Sequence, residues 1–145
     1  IRNGAKFEDA IARGSWWIDI HCPLGNTYPV HLCVAECPKG ADCPYWTAEH
    51  ENMRSQKELF PPKGDWYDIS YRCLLSVAIP NLLSSGRCIS ATHEGMAGAR
   101  VMGTCVAIGQ AAGTAAALAV AEGVSPADIN ISQLRELLRG DGQLI

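Results

Sequence analysis

Positive charge is scarce in this chain. It carries 12 Lys and Arg against 15 Asp and Glu, a formal net charge of −3. That balance gives no electrostatic case for nucleic acid or an anionic membrane surface as a partner. The opening residues, Ile1-Arg2-Asn3-Gly4, hold neither a basic region nor the apolar run of a secretion signal, so the cytoplasm is the expected compartment. An initiator Met is also missing, and the sequence reads as an excerpt of something longer. No Gly-x-Gly-x-x-Gly follows a strand-like run, which removes the turn that cradles a dinucleotide pyrophosphate. No Cys-x2-Cys pair occurs either, which weakens any zinc-ribbon reading.

Apolar residues make up 48% and charged residues 19% of the 145 positions, proportions that suit a folded domain with a sizeable core. The 7 cysteines are many for this length. Cys73, Cys88 and Cys105 lie in or beside apolar segments and read as small buried hydrophobes. Cys22, Cys33, Cys37 and Cys43 share one polar region with His21, His31 and His50. That set could assemble a tetrahedral zinc site that staples a loop, with free or disulfide-paired thiols as the competing reading. No residue is assigned to a metal.

Phe7, Ala10 and Ile11 recur at helical spacing between Ala5 and Arg13, with Gly14 as a stop, so a short helix is expected there. Trp16 to His21 is aromatic and β-branched and reads as a strand, with Trp16, Ile18 and Ile20 on one face and Trp17, Asp19 and His21 on the other. From Cys22 to Gly64 prolines and glycines punctuate the chain, which marks an insertion, with a strand at Tyr28 to Val34 and a polar helix at Thr47 to Leu59 as its ordered parts. Strand character returns from Trp66 to Leu75. The run from Leu82 to Ser90 reads as a buried strand, and Ala91 to Arg100 as a polar crossing loop. No charge interrupts Val101 to Ala121, an Ala/Gly-rich helix that other backbone can approach closely. Its length would span a bilayer, but Ala, Gly, Thr and Gln dominate and no Lys/Arg cluster flanks it, so no membrane is expected. Ser125-Pro126 opens a turn, and Ser132 is expected to cap a last helix with a Leu134, Leu137 and Leu138 stripe, stopped at Gly140.

Gly86-Arg87-Cys88-Ile89-Ser90-Ala91-Thr92-His93-Glu94, then Arg100-Val101-Met102 and Thr104-Cys105, then Gly109-Gln110-Ala111-Ala112-Gly113-Thr114-Ala115-Ala116-Ala117-Leu118-Ala119, together resemble the C-terminal end of FAD-dependent oxidoreductases related to the flavoprotein subunit of fumarate reductase. Ile18-Asp19-Ile20-His21 is similar to their substrate-side sheet. Gly103 stands where proline is expected, and the loop reads Gly95-Met96-Ala97-Gly98-Ala99. The resemblance implies an α/β fold (α+β as an isolated piece). It would be the C-terminal piece of a Rossmann-like FAD-binding domain with part of a substrate-side β-sheet. Residues 1–75 would form the substrate-side segment with its insertion at 22–64, and residues 76–145 the strand, loop and helix of the flavin domain plus the final helix.

FAD is the implied cofactor, held by Gly86, Arg87, Arg100, Val101, Met102, Gly103 and Thr104. A reduced flavin is negative near N1 and O2, and a helix N-terminus offers unshared N–H groups and a favourable dipole. His93, Arg100 and His21 are the candidate catalytic residues, the histidines for proton transfer and the arginine to hold an anion. Asp19 and Glu94 read as structural partners. The plain alternative for the central helix is a core helix beside a buried strand.

The expected activity is hydride transfer between an unidentified small organic substrate and the flavin, with the remainder of the FAD-binding domain as partner. The missing pyrophosphate turn leads to the expectation that this is the C-terminal portion of a longer enzyme, inactive alone and binding FAD weakly or not at all. A chain standing alone would self-associate through exposed apolar surface. The competing class is a non-enzymatic interaction module stapled by the cysteine-rich region.

Overall fold

Ala is the best helix former, and the segment after Val101 is rich in it with no proline to interrupt. In a computed structural model, which describes residues 1, 3–20, 42 and 60–145, this segment is helix α2, Met102–Glu122. Gly123 ends it in the left-handed region (φ 66°), its N–H returning to the carbonyls of Ala119 and Val120. A glycine adopts that conformation without steric cost, the usual way to stop a helix.

One stripe of α2 is buried: Thr104, Ile108, Ala111, Ala112, Ala115, Leu118 and Ala119. It packs against strand β1, Ala10–Gly14, and against helix α3, Ile131–Gly140. The far side is also apolar but uncovered, with Met102, Val106 and Val120 at 79%, 71% and 83% exposure. By length and composition α2 could cross a membrane, yet its inner stripe belongs to the same core as Ile11, Ile69, Leu134 and Leu138.

β1 pairs antiparallel with β2, Tyr67–Ser70, in a two-stranded sheet. Ala12 lies opposite Ile69 and Gly14 opposite Tyr67, with an irregularity between Ala10 and Ala12. Mixed helix and sheet agrees with the α/β expectation. A short helix α1, His93–Ala99, precedes α2, and 3-10 turns occupy Tyr71–Leu74, Gly86–Cys88 and Pro126–Asp128.

Several local expectations are corrected. The helix expected over Ala5 to Arg13 is a loop followed by β1. Nine residues with three apolar repeats are a weak signal, and tertiary bonds decide instead: the Asp68 carboxylate accepts the Phe7 N–H, and Asp9 accepts from the Arg72 backbone and guanidinium. Trp16 to Ile20 joins no ladder, although Ile18 and Ile20 are buried at 1% and 5% as the alternating pattern requires. The strand expected over Leu82 to Ser90 is reduced to a single bridge, Leu75 to Leu83, followed by a 3-10 turn. Neither segment finds a neighbouring strand among the described residues. The strand expected from Trp66 to Leu75 keeps four residues and then tightens into the turn at Tyr71. The crossing loop contains α1, whose N-cap is Thr92 accepting from the Gly95 N–H.

The last helix is capped by Asn130, whose side chain accepts from the N–H groups of Ser132 and Gln133, and not by Ser132. Two residues earlier, the Asx side chain reaches the free donors better. Leu134 and Leu138 are fully buried, while Leu137 is 44% exposed. The strand expected at Tyr28 to Val34, the helix at Thr47 to Leu59, and the cysteine cluster with His21, His31 and His50 lie outside the described residues.

Leu134→Ala should cost about 2–5 kcal/mol of stability and Leu137→Ala about 0.5 kcal/mol or less, measured by urea unfolding. Burial pushes the phenols of Tyr67 and Tyr71 up to about 12 from an ordinary value of 10.0. An acid whose folded pKa is raised contributes stability that is intact below the unfolded pKa and lost as pH climbs through the folded one. Stability should therefore fall between about pH 10 and 12, with phenolate absorbance appearing together with loss of helical circular dichroism.

Candidate functional site

Two glycines let the polypeptide close around Tyr67. A Cβ on Gly14 would lie 2.3 Å from the Tyr67 ring. One on Gly98 would lie 2.7 Å from its hydroxyl, 3.2 Å from the Trp16 carbonyl and 2.5 Å from Ile1 Cδ1. α1 therefore lies directly on the segment after β1, and Ala97 joins Ile18 and Ile20 in a small apolar cluster beneath it. The Tyr67 hydroxyl is buried with no hydrogen-bond partner among the described residues.

This contact builds a pocket of about 380 Å³ lined by Asp19, Ile20, Ala91, Thr92, His93, Met96, Ala97 and Arg100. His93 opens α1 and Arg100 closes it as C-cap. The Arg100 guanidinium donates to the Asp19 carbonyl at 2.6 Å and sits 3.7 Å from its carboxylate. Asp19, read as a structural partner, holds the arginine in place across 81 residues of sequence. His93 and Arg100 are thus brought together, while His21 lies outside the described residues.

The residues expected to hold a flavin gather at the corner between α1 and α2. Gly86 has φ 59° and begins the 3-10 turn, the backbone shape that calls for glycine. Arg87 donates its Nε–H to the Arg100 carbonyl at 3.0 Å. Val101 is the N-cap of α2 and supplies no side-chain cap, so the first N–H groups of the helix lack the usual partner. A Cβ on Gly103 would meet nothing within 4 Å, and Met102 is exposed. Thr104 differs, because its residue is buried at 7% in the core stripe, which leaves only its backbone to serve at the corner.

Sequence reasoning missed Thr92 and Tyr67. Thr92 carries a local signal, a hydroxyl residue just ahead of Glu94 in a first helical turn, the pattern of an N-cap. Tyr67 carries none, since its position depends on two glycines 53 and 31 residues away that only folding brings near. Among the described residues no group of three His, Cys, Asp or Glu side chains is placed to hold a metal ion.

Residues 1–138 match the model of a family described as FAD dependent oxidoreductase. The chain belongs to that family. No curated protein and no solved structure is similar enough to be matched with it. Membership makes flavin-linked redox chemistry the general activity of the group, and an open α2 N-terminus beside a His/Arg pocket is compatible with it. The donor set fits an anionic ring edge: unshared helix N–H groups, a positive dipole end, an arginine nearby, and a glycine with no neighbour to block approach.

Gly98→Ala should destabilise the fold by about 1–3 kcal/mol, because its methyl has nowhere to go. Gly103→Ala, in open space within a helix, should stabilise the flavin-free chain by up to about 1 kcal/mol. Thermal unfolding of both variants checks the contrast; equal shifts would contradict the packing described.

Proposed function

We propose that this chain forms the C-terminal part of a Rossmann-like FAD-binding unit related to the fumarate reductase flavoproteins, and that it acts in hydride transfer between a small organic substrate and FAD. The observation that carries the reading is the uncapped N-terminus of α2 next to the His93–Arg100 pocket, in a member of a flavin-dependent family.

Met102, Gly103 and Thr104 would hold the negative edge of the ring system through backbone N–H groups, with Gly86, Arg87, Arg100 and Val101 shaping the surrounding corner. The bound flavin would supply the two-electron acceptor that side chains lack. His93 would hold or move a proton at an imidazole nitrogen, and Arg100 would orient an anionic or polarised substrate group. Ile20, Met96 and Ala97 give the same pocket an apolar wall. His21 stays a candidate second proton carrier by resemblance. Asp19 neutralises part of the Arg100 charge and fixes the direction of its guanidinium.

The uncovered apolar face of α2 is the surface on which we place the remainder of the FAD-binding domain. Exposed Val106 and Val120 flank Gly109 and Gly113 there, and small residues let strands or cofactor approach closely. The pyrophosphate turn absent from this sequence would come from that remainder. The chain by itself is then an incomplete site, expected to self-associate through the same face, and the protein works in the cytoplasm.

The isolated chain should bind FAD more weakly than about micromolar, whereas the complete protein should retain it through gel filtration. Arg100→Met in the flavin-loaded protein should slow substrate-driven flavin reduction, measured per bound flavin, by about 10²-fold or more. A complete protein that purifies without FAD and cannot be loaded with it would sink the reading.

A further inference from the structure

The corner between α1 and α2 is unevenly satisfied. Its carbonyls are all taken: Ala99 accepts from the Cys105 thiol at 3.6 Å, Arg100 from Arg87 Nε at 3.0 Å, and Val101 from the Cys105 N–H at 3.0 Å. The donors at the start of α2 have no side-chain cap from the N-cap residue. A helix end with its acceptors occupied and its donors free presents only positive potential to whatever meets it.

Arg87 makes the long-range member of this set. It is exposed and sits in the 3-10 turn that Gly86 begins, and that turn packs on α2, with a Cβ at Gly86 4.0 Å from Cys105 Cβ. Its Nε reaches across 13 residues to the one corner carbonyl that α2 itself does not satisfy. The remainder of the guanidinium leaves a positive charge at the same corner.

We propose that Arg87 is a positioning residue for the flavin rather than a direct ligand of it: it anchors the Arg100 carbonyl, fixing both the direction of the α2 donors and the backbone from which the Arg100 side chain enters the pocket. This rests on the proposed flavin site. A charge-assisted hydrogen bond of this kind contributes about tenfold to any equilibrium that depends on it.

The test uses the complete flavin-loaded protein and its Arg87→Met and Arg87→Lys variants, with FAD dissociation followed by fluorescence and the two-electron potential by dye equilibration. Arg87→Met should weaken FAD binding about tenfold and favour the oxidised flavin, while leaving thermal unfolding of the flavin-free protein within a few degrees of wild type. Arg87→Lys, which keeps a donor and the charge, should recover most of both losses. Wild-type affinity and potential in Arg87→Met would overturn the inference while leaving the flavin site standing, as would a loss that Arg87→Lys does not recover. Failure of the wild type to bind FAD would overturn the site and the inference together.

Discussion

The structure rests on close approach of backbone to backbone across residues with little or no side chain. α2 reaches β1 and α3 because its inner stripe is built largely of alanine, with Ile108 and Leu118 filling what remains. α1 reaches the segment after β1 because Gly98 has no Cβ to hold it off. Dispersion falls steeply with distance, so small residues that permit contact contribute more here than larger ones held apart. The pocket of His93, Arg100 and Asp19 is the space left at the edge of that contact.

The charges in the pocket are arranged to keep an arginine directed rather than to neutralise it. Asp19 offers its carbonyl at 2.6 Å and its carboxylate at 3.7 Å, so the stronger tie is to backbone, which cannot swing away. Pair strength at such a partly exposed site is modest. Its effect is on orientation, since the backbone tie fixes where the guanidinium points. The nearby corner adds a second fixed element, a long helix whose first donors stay free while neighbouring carbonyls are occupied.

α2 also explains why the chain resists classification by hydropathy alone. Its residues are apolar on both sides, so no polar face marks where solvent lies, and the same composition would pass as a membrane span. The buried stripe is identified by its partners in the core. The outer stripe, with Val106 and Val120 largely exposed, is left uncovered among the described residues.

Local chemistry made α2 legible in advance: an uncharged alanine-rich run and a glycine stop specify a helix wherever it packs, and the motifs from Gly86 to Ala119 pointed to FAD-dependent oxidoreductases, the broad family that the match over residues 1–138 shows. His93 and Arg100, singled out by the resemblance, line one pocket with Asp19. Strand against helix at Ala5 to Gly14, the fate of Leu82 to Ser90, and the cap at Asn130 were settled by folding. A strand exists only where another edge offers hydrogen bonds, and short apolar runs fit either period. Tyr67 and the Asp19–Arg100 tether belong to that second group as well, since contacts across dozens of residues depend on the path of the whole chain and leave no trace in spacing.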